Sequence, residues 1–198
     1  MEFQHINVKL FLKNADDVDP EALIPVFHRW IQEQAGDELL LDVADYRHVP
    51  AGPGIVLIGH DGNYSLDNAG GRWSVRYNRK TPFEGSNQDR LAQATQAALI
   101  ACQRLEADSR LGGTIRFNNR EIEVFINDRL LAPNSAETRT AADAEFRAFF
   151  STLFGDVEYA ASYSQDPRSL LSVTASVSQP LDTAALLDNL NLLEPASR

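Results

Sequence analysis

The fold is decided by residues 54–78, which read GIVLIGHDGNYSLDNAGGRWSVRYN. Residues 55–58 are apolar at every position, which predicts a strand that is buried on both faces and lies centrally in its sheet. Two further strands are predicted at 63–67 and 72–78, and Gly70-Gly71 between them is typical of a tight hairpin turn. Because short turns join neighbouring strands antiparallel, this stretch predicts an antiparallel sheet.

Strand patterns continue on both sides of this stretch. Further strands are predicted at residues 6–12, 38–44, 114–117, 121–126, 157–163 and 170–177. Asn118 and Asn119 tolerate the left-handed backbone conformation that tight turns require, which predicts a hairpin between 114–117 and 121–126.

Apolar residues at helical spacing predict four helices. These cover residues 22–34, 87–106, 137–154 and 183–193. Ser86 with Asp89 three residues later predicts the N-terminal cap of the second helix, and Asn134 with Glu137 predicts that of the third.

The strands come in adjacent pairs joined by short turns, which favours the α+β class over a doubly wound α/β fold. We therefore expect a mixed, largely antiparallel sheet with three or four packed helices. The chain fits a single α+β domain over residues 1–198, or two lobes divided near 81–86, where Pro82 and Gly85 interrupt the pattern. After residue 86 the predicted order is helix, two strands, helix, two strands, which leaves a degenerate duplication open.

Composition excludes several classes of partner and site. The chain has 28 acidic and 18 basic residues and a formal net charge of −10, so repulsion from phosphates argues against nucleic-acid and anionic-membrane partners. Cys102 is the only cysteine, which excludes an intrachain disulfide and a cysteine-based zinc site. The first residues lack a secretory signal pattern, and no apolar run is long enough for a membrane helix. By elimination we expect a soluble cytoplasmic protein of unknown partner, with a homodimer left open.

No phosphate loop, dinucleotide fingerprint, nucleophile elbow or zinc-protease motif occurs in the sequence, and no cofactor is predicted. The best candidates for catalytic residues are His48, His60, Asp61, Tyr64 and Asp67, whose side chains suit acid–base chemistry. His48, His60 and Asp61 are also candidate metal ligands. A tight hairpin would bring His60 near Tyr64, whereas His48 joins them only if the loop at 45–53 folds back. The alternative interpretation is that the histidines are unrelated surface residues.

A second candidate site is basic. Arg72, Arg76, Arg79 and Lys80 lie within nine positions, and such a group could bind a carboxylate or phosphate. The alternative is a solvated outer strand face that balances acidic neighbours such as Asp67.

Several segments resemble a group of bacterial proteins that are described only as hypothetical. The resemblance is carried by DYRHVPAGPG at 45–54, GH at 59–60, YSLD at 64–67 and FINDRLLAPN at 125–134. It covers most of the chain and implies no activity.

Two functional hypotheses remain from the sequence. The first is a non-enzymatic binding or interaction protein, because no catalytic motif is recognisable. The second is a metal-dependent or acid–base hydrolase that uses His48, His60 and Asp61.

Overall fold

A computed structural model describes residues 1–13, 18–36, 38–50 and 52–191. Within these ranges the chain forms eight strands and four α-helices. The strands are β1 (Ile6–Leu12), β2 (Leu40–Asp45), β3 (Ile55–Gly59), β4 (Gly62–Asp67), β5 (Ser74–Arg79), β6 (Phe117–Ile126), β7 (Tyr159–Tyr163) and β8 (Leu171–Val177). The helices are α1 (Leu23–Glu33), α2 (Asn87–Ala107), α3 (Ala136–Phe154) and α4 (Thr183–Asn191); predicted helical residues 192–193 lie outside the described ranges.

The strands form one sheet in the order β2-β3-β4-β5-β1-β6-β8-β7. Every described pairing is antiparallel, which confirms the predicted α+β class. β1 pairs with β5 on one side and with β6 on the other. Strands from both sides of residues 81–86 therefore belong to the same sheet.

Alternation along β1 separates the two faces of this sheet. Val8 and Leu10 are buried among the helices, together with their cross-strand partners in β5 and β6. Neighbouring residues of a strand point to opposite faces, so Lys9 lies on the other face, between Arg76 and Glu123. We call this second face the polar face.

The predicted hairpin at Asn118 and Asn119 is wrong, because the chain runs through these residues as the single strand β6. β1 pairs with β6 on both sides of Asn118 and Asn119, through Leu12 with Phe117 and through Leu10 with Ile122. Asn119 does adopt the left-handed conformation, with φ of 49°. It produces a bulge rather than a turn because pairing with β1 continues on both sides of it. One strand therefore follows α2, which removes the topological argument for a duplication.

The central position predicted for residues 55–58 is also wrong: β3 is second from the edge of the sheet. Ile55 and Leu57 are buried under the helices, while Val56 lies between Ala44 and Ser65 on the polar face. A strand of apolar residues can therefore be buried one position from the edge of the sheet, provided that it has a strand on each side and helices packed over one face.

The cap predicted for α2 is confirmed, and the cap predicted for α3 is wrong. Ser86 and Asp89 form the predicted capping box at the start of α2. At α3 the cap is Ser135, whose side chain accepts a hydrogen bond from the Thr138 N–H. Asn134 is instead buried, and its amide donates to the carbonyl oxygens of Ser164 and Asp166 in the β7–β8 connection. The prediction failed because a distant turn uses the Asn134 side chain.

No helix in the described part of the chain has both the length and the apolar character to cross a membrane.

Candidate functional site

A pocket of about 370 Å³ lies between α1, α2 and the end of the sheet formed by β4 and β5. This volume falls in the range of small-molecule sites, roughly 300–1,000 Å³. Side chains that define its chemistry are Trp30, Glu38, Tyr64, Arg79, Gln93 and Arg104. We name it the helix–sheet pocket.

The sequence of α2 creates this space. Gln93, Ala97, Ile100 and Arg104 recur at three- and four-residue spacing, so they share one face of the helix, and all four line the pocket. A neighbouring stripe, which includes Ala94 and other small residues, is buried against the sheet. Because Ala97 carries only a methyl group, the helix approaches the sheet without filling the space in front of it.

Two acceptor groups in the pocket have unused hydrogen-bonding capacity. The Tyr64 hydroxyl and the Gly62 N–H lie near enough to the Glu38 carboxyl to lower its pKa, but Oε1 of that carboxyl is buried and has no hydrogen-bond partner within the described residues. Gln93 donates through Nε2 to the Tyr77 hydroxyl at 3.3 Å. The Oε1 atom of Gln93 is likewise buried and has no partner in the described ranges. Buried polar atoms are rarely left in this condition, so both acceptors are available to a bound donor.

Burial controls the protonation of these groups. Desolvation raises the pKa of Glu38 above its ordinary value, while the neighbouring Tyr64 hydroxyl and Arg79 oppose the rise. Burial also raises the pKa of Tyr64 and of Tyr77. Both phenols therefore stay protonated at neutral pH and can donate hydrogen bonds.

The two cationic side chains of the pocket already have protein partners. Arg79 donates through Nε to the Thr81 carbonyl at 3.1 Å, and its Nη2 lies 3.7 Å from Oδ1 of Asp61. Arg104 donates to the Ala35 carbonyl, and its guanidinium carbon lies 5.8 Å from the centre of the Trp30 ring.

Two glycines in the β3–β4 turn make room for the pocket floor. A Cβ atom at Gly62 would lie 2.6 Å from the Tyr77 hydroxyl oxygen, and one at Gly59 would lie 3.2 Å from Cδ of Glu38. Contacts below 3.0 Å do not occur without displacement. The absence of a side chain at Gly62 therefore allows Tyr77 to reach its position, whereas a Cβ atom at Gly59 would displace Glu38 only slightly.

The structure brings together only some of the acid–base candidates. Asp61 and Tyr64 line the pocket, and the exposed His60 lies beside Asp61 in the β3–β4 turn. His48 is exposed in the β2–β3 connection, next to the Asp45–Ile55 pair at the other end of β3. Four strand steps from residue 55 to residue 59 span roughly 13 Å, so His48 and His60 lie at opposite ends of this hairpin.

A metal site does not emerge from these residues. Throughout the described ranges, no group of three or more His, Cys, Asp or Glu side chains is placed to hold a metal ion.

Asp67 lies on the polar face, away from the pocket. Its carboxyl is buried, 3.5 Å from the Lys9 ammonium and 3.5 Å from Nε of Arg76. The Ser74 hydroxyl donates to the same carboxyl at 3.2 Å. Asp67 therefore ties β1, β4 and β5 together across the polar face.

The four basic candidates do not form one anion site. Arg72 pairs with Glu121 at 2.7 Å and Arg76 with Asp67, both on the polar face. Arg79 lies on the opposite face, in the pocket. Lys80 donates to the Gly59 carbonyl. Strand alternation separates side chains that are close in sequence.

Sequence reasoning missed Glu38, Gln93, Trp30 and Arg104. For Gln93 and Arg104 the sequence did carry a signal, because these polar residues lie beside the buried alanine stripe of α2. Polar residues at the border of a buried stripe can line a pocket rather than face open solvent. Nothing local identified Glu38, which is the first residue of the strand predicted at 38–44. No protein-family model matches the chain, and no curated protein matches it in sequence.

Proposed function

We propose that the protein is a non-enzymatic binding protein that holds a small organic molecule in the helix–sheet pocket. The observation that carries this proposal is the pair of buried acceptors, Glu38 and Gln93, that have no protein partner at Oε1 in the described ranges. Apolar and aromatic walls with a few placed polar groups are typical of small-molecule sites. Trp30 and Phe83 provide such walls here.

The test is to fill the pocket without changing the core. Ala97 lines the pocket and is only half-buried, so Ala97→Phe should occupy the ligand's space while changing the free energy of unfolding by less than about 1 kcal/mol. A fragment library screened by ligand-observed NMR should show binding to the native protein and none to A97F. Ala148→Phe, on the exposed face of α3, is the matched control and should bind as the native protein does. Equal binding by A97F would place the ligand elsewhere.

The alternative is an acid–base hydrolase, which one observation favours. Glu38 has a raised pKa and lines the pocket together with Tyr64 and Asp61, and carboxyls of this kind serve as general acids. In this alternative Glu38 takes the role that the sequence suggested for His48, while His60 and Asp61 stay candidates. Turnover of an ester, glycoside or phosphoester panel that is lost in Glu38→Gln and Asp61→Asn, but kept in His48→Ala, would establish it over simple binding.

A further inference from the structure

We infer that the ligand of the helix–sheet pocket carries an ammonium group, which the Glu38 carboxylate binds with the Gln93 amide oxygen as a second acceptor. This inference rests on the proposed function and names the class of molecule that the pocket takes. Its basis is a pair of buried acceptor atoms in the pocket, neither of which has a donor among the described residues.

The buried atoms of the pocket that lack a partner are acceptors. Oε1 of Glu38 and Oε1 of Gln93 are both buried and have no partner among the described residues. Arg79 donates to the Thr81 carbonyl and lies beside Asp61, Arg104 donates to the Ala35 carbonyl, and no nitrogen of either guanidinium is among the buried unpartnered atoms of the described ranges. A ligand that brings hydrogen-bond donors would therefore satisfy both buried acceptors.

The charges around Glu38 favour a cation over a neutral donor. From β5 and the β3–β4 turn, Arg79 and Asp61 act on the carboxyl with opposite signs. Arg79 acts more strongly than Asp61, but desolvation outweighs both and keeps the pKa of Glu38 raised; the remaining neighbours, Tyr64 and Tyr77, are neutral phenols. On the α2 side Gln93 is uncharged, and Arg104 is engaged with the Ala35 carbonyl and the Trp30 ring. A carboxylate whose desolvation is not offset by its neighbours is stabilised most by a charge-assisted hydrogen bond.

The walls of the pocket favour an ammonium that is attached to an apolar body. Arg104 lies over Trp30, and Arg79 lies 5.2 Å from the centre of the Phe83 ring. Both rings are therefore already paired with cations of the protein, which leaves Glu38 and Gln93 as the partners of the ligand's ammonium group. The methyl group of Ala97 and the side chain of Ile100 leave space for an apolar body, which predicts an arylalkyl ammonium rather than a small inorganic cation.

This geometry links binding to protonation. The ammonium group pairs only with the ionised carboxylate, and burial raises the pKa of Glu38 in the free protein. Affinity should therefore rise with pH through the titration of Glu38 and then level off. The bound cation should in turn lower the pKa of Glu38.

The experiment uses probes of similar shape and different charge on the full chain. Tryptamine and 2-phenylethylamine supply the ammonium, 2-phenylethanol the neutral group and 3-phenylpropanoate the carboxylate; calorimetry measures binding. The ammonium probes should bind about tenfold or more tightly than the others at neutral pH. Glu38→Gln should abolish that preference, and Gln93→Leu should weaken it as an independent test. Glu33→Gln, an exposed change on α1, should leave it intact.

The outcomes separate this inference from the proposed function. Binding of the alcohol or the carboxylate as tightly as the amines, or an undiminished preference in folded E38Q, would overturn the ammonium inference and leave the pocket as a binding site. Failure of every probe and of the fragment library would overturn both. Amine binding that survives Ala97→Phe would show that the amines bind outside the pocket, which also contradicts the inference.

Discussion

The interfaces that α3 and α2 make with the sheet differ in how their helices fill space. On α3, Phe146, Phe149, Phe150 and Phe154 pack ring against ring, and Phe150 lies 5.4 Å from Phe149 and 5.9 Å from Tyr159. On α2, the face that includes Ala97 leaves a pocket of about 370 Å³. The same helix-on-sheet arrangement thus gives a filled core in one half and a cavity in the other. The difference teaches that side-chain volume, rather than topology, decides where this fold can hold a ligand.

The largest expected effect would break the filled side of this comparison. Phe149 is fully buried, so Phe149→Ala should cost about 3–5 kcal/mol in free energy of unfolding because it leaves a cavity. Urea unfolding monitored by circular dichroism measures the change. Leu130→Ala, at a side chain that is 89% exposed, is the control and should change stability by less than about 0.5 kcal/mol. A cost for F149A below about 1 kcal/mol would show that α3 tolerates a cavity as α2 does.

A smaller effect tests the floor of the pocket. Gly62→Ala would place a Cβ atom 2.6 Å from the Tyr77 hydroxyl oxygen, and this overpacking should cost about 1–3 kcal/mol. The same change should cost less in a Tyr77→Leu background, because the hydroxyl and the two ring carbons at 2.7 Å are then absent. Thermal unfolding of the four proteins of this double-mutant cycle measures the coupling. Equal costs in both backgrounds would mean that the clash is not with the Tyr77 ring.

The smallest effect concerns the pH dependence of stability. Because the folded state raises the pKa of Glu38 above its ordinary value of 4.5, the contribution of Glu38 to stability is present below that value. It is lost as pH rises through the folded pKa. Glu38→Gln should therefore gain stability relative to the native protein as pH rises from acid towards neutral. Urea midpoints measured across this range test the sign.

Asp108 provides a control of opposite sign for that measurement. Hydrogen bonds from Arg110 lower the pKa of Asp108, and Arg29 lies 2.8 Å away. Its contribution is present above the ordinary aspartate value and lost as pH falls through the folded pKa. The deficit of Asp108→Asn should consequently shrink as pH falls. Parallel pH trends for E38Q and D108N would contradict the role of burial at Glu38.

The elements that depend on local pattern were predictable from the sequence. Alternation in β1, the Gly70-Gly71 turn between β4 and β5, and the capping box of Ser86 and Asp89 all occur where expected. Each involves residues that interact within a few positions of one another. Local propensity therefore sufficed for them, and the antiparallel α+β class followed.

The errors share one physical cause: contacts with residues distant in sequence decided the conformation or the partners of the residue concerned. Asn119 makes a bulge because β1 pairs on both sides of it. Asn134 holds the β7–β8 connection through Ser164 and Asp166 instead of capping α3. His48 stays apart from His60 because the β2–β3 register places them at opposite ends.

The sequence by itself determined most of the strands, the helices, the antiparallel class and the presence of Asp61 and Tyr64 near one turn. Only the tertiary structure decided that Glu38, Gln93 and Arg104 meet them in a pocket. Glu38 lies far in sequence from the α2 residues Gln93 and Arg104, so no periodic pattern relates it to them, and the burial of all three depends on how closely α2 approaches the sheet. The chemistry of the pocket therefore depends on how the elements pack together, because this packing desolvates Glu38. It cannot be predicted from any single segment.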